Sequence, residues 1–323
     1  AEPAETSKAF PEGGYFVMRD GWTTDSNYLL FDCGPHGSLA CGHAHADALA
    51  FDLVANGRTM LVDPGTYTYT GSKELRDWFR GAFSHNTLTL DQLPSSLPAG
   101  PFSWSNQAKC TVNKWISNDR FDFVSGEHDG YANRYFSSTV RRSILFVKGN
   151  YWIVADELIG LEGHRAAVQF HFHPSARPFK RSDLVSEPES GFAIKCFGKD
   201  ASWLEEDSWV SQCYGHKEPS KLCVFSALLE DPDDIVTFLL PSNGEIQREV
   251  APLPAREGKV FAVSGGKTLD LVIIRDDRDE WVWLRFLNEH LQEGFSTQSG
   301  AEIDRSDPYL SELISIVKNY VRH

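Results

Sequence analysis

The stretch LAFDLVANGRTMLVD, residues 49–63, holds two apolar runs separated by Asn56-Gly57. An Asn-Gly pair readily places both central residues at positive φ. That geometry gives a type I′ turn, whose twist matches the twist of the strands it joins. The stretch therefore reads as a β-hairpin. The same pattern of short β-branched and aromatic runs ending in Gly, Pro, Asn or Asp extends on both sides of it. YFVMRDG and NYLLFDCG precede the hairpin, and NTLTLD, FDFVSGEHDG, RRSILFVKGN, YWIVADEL and AAVQFHFHP follow it. ILFVKGNYWIV turns again near Gly149-Asn150. Many short strands at near-regular spacing predict an all-β fold, a large antiparallel β-sandwich.

Helix is sparse in this reading. A short one is expected over Lys73–Arg80. A second is expected in SDPYLSELISIVKNYV, where Asp307 can cap, Pro308 suits the first turn, and Leu310, Leu313, Ile314, Val317 and Val321 form one apolar stripe. The segment with Pro232, Pro241, Pro252 and Pro254 marks a change of composition. The expected organisation is an N-terminal tail over 1–14, the sandwich over 15–235, and a smaller strand-rich subdomain with a C-terminal helix over 236–323.

With 323 residues, 41% of them hydrophobic and 12% aromatic, the chain can bury a full core. A formal net charge of −14 repels a nucleic-acid duplex or an anionic membrane surface. No apolar run approaches the ~20 residues that span a bilayer. The opening AEPAETSKAF has neither the basic region nor the apolar core of a signal peptide. Six cysteines lie scattered without CxxC spacing. They read as buried thiols, with Cys33–Cys41 and Cys213–Cys223 as conceivable pairs across neighbouring strands.

Chemistry concentrates in CGHAHADALAFDLVANGRTMLVDPGTYTY, residues 41–69. On a strand, residues i and i+2 share a face about 6.5–7 Å apart. His43 and His45 would then project together, with Asp47 beside them. Pairing about Asn56-Gly57 brings Asp63 roughly opposite position 50, and His85 enters a strand after the FRGAFSHN loop. Two imidazoles and a carboxylate with an open fourth position make a zinc set, and Asp47, Asn86 or a carbonyl could anchor a second ring nitrogen. The competing readings are a satisfied polar network and a plain turn at DPGTYTY. His128 and the His171/His173 pair read as polar residues at sheet ends. There is no Gly-rich phosphate loop, no GxSxG elbow and no HExxH.

The succession GHAHADALAF, NGRTMLVDPGTYTY and RDWFRGAFSHNTLTLD, followed by GPFSW, SGEHDGY, RRSILFVKGNYWIVADEL and QFHFHP, resembles the C-terminal half of the heparinase II/III family of polysaccharide lyases. The resemblance runs from about Tyr15 to Pro174. It implies an antiparallel sandwich that normally follows an N-terminal helical toroid, and β-elimination on uronate-containing, anionic polysaccharide. It further implies a bacterial, periplasmic or secreted setting. It carries a largely structural zinc onto His45, Asp63 and His85, and places His43 at the cleft as the catalytic histidine. Tyr69 and Arg80 become candidates for sugar contact, with an ordinary ion pair as the other reading of Arg80. The family's catalytic Tyr belongs to the toroid, which nothing in this chain resembles, so catalysis would need that partner domain. Two other functions compete: a non-catalytic glycan-binding sandwich, and a hydrolase using Asp47 and Asp63 as its two carboxylates.

Overall fold

A computed structural model describes residues 3–303, apart from 39, 133, 161–162, 182, 231–233, 243–247, 256, 276–279, 289, 299 and 301. The chain forms two compact units, Ala1–Asn243 and Gly244–His323. The division falls after the strand Ile235–Pro241. That strand sits in the first unit, hydrogen-bonded between Phe192–Phe197 and Tyr151–Ile159. The acid- and proline-rich composition that suggested a boundary at 235/236 thus precedes a central strand. The expected C-terminal helix over 307–321 lies outside the described residues.

The first unit opens with an antiparallel meander of five strands. Lys8–Phe10, Tyr15–Arg19, Tyr28–Asp32, Phe51–Ala55 and Arg58–Leu61 pair in sequence order. Strand structure therefore begins inside the segment read as a tail. Tyr28–Asp32 and Phe51–Ala55 bury every second residue, as the alternation of YLLFD and FDLVA requires for strands with one face on the core. The hairpin turns at Asn56 (φ 51°) and Gly57 (φ 71°). A Cβ on Gly57 would lie 1.9 Å from the Thr24 carbonyl oxygen, so no other residue fits there.

An eight-stranded antiparallel sheet and a four-stranded one complete the sandwich. The central strands of the larger sheet, Phe121–His128, Tyr151–Ile159 and Ile235–Pro241, are buried along almost their whole length. Burial of successive residues along each strand reflects cover on both faces. One core joins the sheets: Phe16, Phe31 and Leu53 from the meander, Ile144 and Trp152 from the large sheet, and Phe170 and Phe225 from the small one. The helix Lys73–Phe79 forms as expected, with the Ser72 hydroxyl accepting the Leu75 N–H at 3.2 Å as its N-cap.

The second unit is a five-stranded antiparallel meander running from Glu249–Leu253 to His290–Ser296. It has its own core of Val260, Leu271, Ile273, Val282, Leu284 and Phe286.

Candidate metal centre

The residues between Tyr28–Asp32 and Phe51–Ala55 do not continue either strand. They form an irregular loop whose turns are closed by bonds from Ala44 N to Cys41 O and from Ala50 N to Asp47 O. Cys41 and Leu49 both adopt positive φ. The alternation in GHAHAD therefore does not place His43 and His45 on a strand. The apolar positions of that alternation are alanines, which have little preference for a pleated sheet. The loop sends its two histidines to different surroundings.

His45 turns inward. Its Nε2 lies 3.1 Å from the Thr66 hydroxyl, and its ring centre is 5.2 Å from that of His85. Asp63 comes from the turn after Arg58–Leu61, its Oδ1 accepting the Gly65 N–H at 2.7 Å. Its Oδ2 lies 2.6 Å from Nδ1 of the fully buried His85. Asp47 completes the group: His45, Asp47, Asp63 and His85 each bring one potential ligand atom, all within 4.8 Å of one another. The three residues expected to converge do so, with Asp47 as a fourth.

Electrostatics marks this cluster as a place for positive charge. Burial opposes ionisation of Asp63, but the charge and hydrogen bond of His85 outweigh it and hold the carboxyl well below its usual range. His85 responds in kind: burial disfavours its charged form, and Asp63 overcomes this and raises its pKa. His45 is pushed down to about 4, by burial first and by His85 second. Two further carboxyls face the cluster. Asp32 is raised to about 7 by burial and then by Asp47, and Asp52 to about 7 by burial and then by Asp63. Burial is the larger cause in both, and a neighbouring acid adds to it. His85 Nε2 is also buried without a hydrogen-bond partner. Two imidazoles, two carboxylates and an orphaned ring nitrogen fit a divalent ion that takes nitrogen and oxygen ligands.

His43 turns outward and is exposed. Its ring stands edge-on to Tyr69 at 5.1 Å and to Phe102 at 6.0 Å. Tyr69 stacks at 5.4 Å on Tyr214, from the tight turn of the long hairpin Lys199–Leu229. Tyr214 is 61% exposed and Phe102 44%, so the four rings make an open aromatic rim.

Arg76 and Arg80 have different partners. Arg80 is fully buried; it donates to Asp77 Oδ1 at 2.7 Å and to the carbonyls of Gly100 and Pro101. It makes the ordinary ion pair that is the other reading of this residue. Arg76, one helical turn earlier, holds the rim instead. Its guanidinium lies 4.9 Å from the Tyr69 ring centre and donates to the Gly42 carbonyl beside His43 at 3.2 Å. Its Nη1 is buried with no hydrogen-bond partner.

Arg142 carries no mark in the sequence, and Asn86 differs from its expected part as an anchor for a ring nitrogen. Buried Arg142 pairs with Asp156 through Nε at 2.7 Å and Nη2 at 3.0 Å, and its Nη1 donates to the carbonyls of Leu49 and Asn86 at 2.8 Å each. Asn86 does not anchor an imidazole. Its amide donates to the carbonyls of Phe51 and Val62 and accepts the His171 N–H at 2.6 Å, tying three segments together behind the cluster. Both act mainly on backbone carbonyls, which no motif records.

Residues 2–245 match the family model described as heparinase II/III-like, C-terminal. The chain belongs to the heparinase II/III-like C-terminal family. Among curated relatives of this family member are a heparin-sulfate lyase of Bacteroides stercoris, 27% identical over 247 residues, and one of Pedobacter heparinus, 25% identical over 291 residues. The alignments cover 74% and 87% of this chain but 34% and 41% of those longer proteins. Among solved structures, the heparan sulfate lyase HepC of Pedobacter heparinus superposes with a TM-score of 0.71 at 23% identity, covering 84% of this chain and 43% of the other. A heparinase III superposes with a TM-score of 0.67 at 20% identity, covering 89% and 43%. These similarities establish the all-β fold of the heparinase II/III-like sandwich.

Proposed function

We propose that this chain is the sandwich half of a polysaccharide lyase that cleaves uronate-containing, anionic polysaccharide by β-elimination, working with a helical toroid in the complete enzyme. Its membership of the heparinase II/III-like family and the names of its longer relatives support the reaction class. The observation that carries the reading is the division of labour within one loop: His45 enters a compact ligand cluster while His43, two residues earlier, stands exposed on an aromatic rim.

β-Elimination requires neutralisation of the C6 carboxylate so that the C5 proton becomes acidic, a base for that proton, and an acid for the O4 leaving group. A cation and hydrogen-bond donors fixed where charge develops supply much of the rate. His43 presents an imidazole that can hold or move a proton at the rim. The Arg76 guanidinium beside it places a fixed positive charge next to Tyr69. Tyr69, Phe102 and Tyr214 offer ring faces and edges for a sugar to pack against. His45, Asp63 and His85, with Asp47 adjacent, would hold zinc. When bound, that ion would neutralise the clustered carboxylates and fix the loop, a structural role. The toroid supplies the catalytic Tyr that this chain lacks.

In the full-length enzyme, His43→Ala should lower turnover about 10²-fold or more, followed by the ultraviolet absorbance of the unsaturated uronate product, while the melting temperature stays unchanged. Turnover at the native level overturns the role. Metal analysis of the purified chain should find one zinc per chain, lost in His45→Ala.

The exposure of Tyr214 and Phe102 favours one second reading, a sandwich that binds glycan without cleaving it. That reading prevails if the full-length protein binds oligosaccharide and forms no unsaturated product.

A further inference from the structure

None of the six cysteines is in a disulfide in the structure, and neither pairing considered from the sequence is formed. Cys223 lies opposite Glu205 and Phe170, and Cys213 opposite His216 at the far end of its hairpin. Cys33 and Cys41 bracket the loop without meeting: Cys41 Sγ points to Gln107 Oε1 at 3.9 Å. Cys33 faces Cys110 instead.

Three observations place these two sulfurs together. Cys110 opens the strand Cys110–Ser117, which pairs with Phe121–His128 so that His128 lies opposite Cys110 and Gly126 opposite Val112. Residues opposite and two apart on paired strands share a face, so the Cys110 side chain and the α-carbon of Gly126 lie on one side of the sheet. The Cys33 sulfur occupies that same side: a Cβ on Gly126 would sit 2.4 Å from Cys33 Sγ. Glycine at 126 is what leaves room for it. Both cysteines also line one open, mainly apolar cavity of about 460 Å³, with Phe16, Pro35 and Trp115 among its walls. The Cys110 thiol is accordingly pushed above its ordinary pKa, first by its hydrogen-bonded contact with Cys33 and then by burial.

We propose that Cys33 and Cys110 are an oxidisable pair that closes to a disulfide, cross-linking the five-stranded meander to the eight-stranded sheet at the root of the loop that carries His43, His45 and Asp47. The oxidant is a small-molecule disulfide. Cys110, partly exposed to the cavity, loses its proton and attacks one sulfur of the reagent, releasing one thiol and forming a mixed disulfide. Cys33, 4% exposed beneath it, then loses its proton and attacks the Cys110 sulfur, releasing the second thiol. The reagent's disulfide is reduced by two electrons, the two cysteines are oxidised by two, and each departing thiolate takes up a proton. The step is slow at neutral pH, because the thiolate is the nucleophile and the Cys110 pKa is raised. The cross-link ties the entrance of the metal-cluster loop to a rigid strand, so the redox state sets how firmly the loop is held.

The test uses the whole 323-residue chain, incubated with glutathione disulfide at a pH of about 8.5, near the ordinary thiol pKa, then denatured, alkylated and digested without reductant. The expected result is four alkylated cysteines of the six, with the Cys33 and Cys110 peptides joined in one species. Cross-linking should raise the melting temperature by roughly 5 °C or more, because the closed loop is long. Cys33→Ala should stop at the first step and accumulate Cys110 bearing one glutathione. Six alkylated cysteines, a stable glutathione adduct on wild-type Cys110, or a cross-link joining any other two cysteines overturns the proposal.

Discussion

The strand Tyr151–Ile159 and the loop from Cys33 to Ala50 face one problem, how to bury polypeptide without leaving its polar groups unpaired, and meet it in opposite ways. The strand pairs with a neighbour on each side, Thr139–Val147 and Ile235–Pro241, so its backbone is satisfied by regular ladders, and most of its buried side chains are apolar. The loop has no ladder. Its own turns meet some of its carbonyls, and side chains from distant segments meet others one at a time: Leu49 by Arg142, Ala48 by Thr87, and Gly42 by Arg76. Damage to the strand is therefore spread over many small contacts, whereas damage to the loop falls on a few anchors. The ligand cluster and the rim histidine both depend on those anchors.

The largest test of this contrast is Arg142→Met. The substitution leaves Asp156 buried without its ion pair and strands the carbonyls of Leu49 and Asn86. Removing one partner of a buried pair costs about 3–5 kcal/mol, so urea unfolding should shift by that amount. In the sheet, by contrast, Ile153→Val removes one methylene from a fully buried side chain and should cost about 1 kcal/mol. Equal losses in the two variants would end the comparison.

Acid probes the two regions in a second way. His128, at the end of a sheet strand, is fully buried and pushed down to about 4 by burial, with its Nδ1 accepting the Gly130 N–H at 3.1 Å. Its folded pKa lies below the ordinary value of 6.5, so between about pH 6.5 and pH 4 the unfolded chain binds the extra proton. Stability contributed by neutral His128 is complete above that window and is lost as the pH falls through it, up to about 3 kcal/mol. His128→Asn keeps an acceptor in place and removes the titration. The stability gap between wild type and variant, measured by urea unfolding, should therefore narrow as the pH falls from 6.5 to 4. A gap independent of pH would show that this site is open to solvent.

Asn86→Ala removes three hydrogen bonds to the segments around the cluster, and should cost about 2–3 kcal/mol. Its sharper readout is metal content: the apolar core stays whole, so a variant that folds with lowered zinc affinity separates positioning of the ligands from folding. Undiminished zinc affinity in a folded variant would make Asn86 a purely structural clamp.

The same contrast explains what could be read from the sequence. Residues 49–63 gave away their hairpin because a turn dipeptide and apolar runs are local signals, and the structure places Asn56 and Gly57 at the positive φ that the dipeptide favours. The convergence of His45, Asp63 and His85 was legible as well, through the order of three motif blocks. The placement of His43 and His45 was not, since alternation along GHAHAD looks like a strand when only spacing is considered. Nothing local marks Arg76, Thr87 or Arg142 as anchors of a loop up to 93 residues away, because the acceptors they reach in it are carbonyls, which every residue carries. The Cys33–Cys110 contact was hidden for a related reason: it needs a glycine on a third segment to leave a space.

The smallest effect expected is at Ser72, whose hydroxyl caps the helix Lys73–Phe79. Loss of an N-cap costs about 1 kcal/mol, comparable to a single methylene in the sheet, so stability alone would not distinguish Ser72→Ala from Ile153→Val. Their positions do. Arg76 N bonds to Ser72 O in the first turn of this helix, and the Arg76 side chain spans from Tyr69 to the Gly42 carbonyl. Fraying that turn moves a guanidinium away from the residue next to His43, whereas Ile153→Val leaves the loop untouched. In the full-length enzyme, Ser72→Ala should therefore weaken substrate affinity while Ile153→Val, at similar cost in stability, leaves it unchanged. If the two variants bind substrate equally well, the rim does not depend on the helix that supports it.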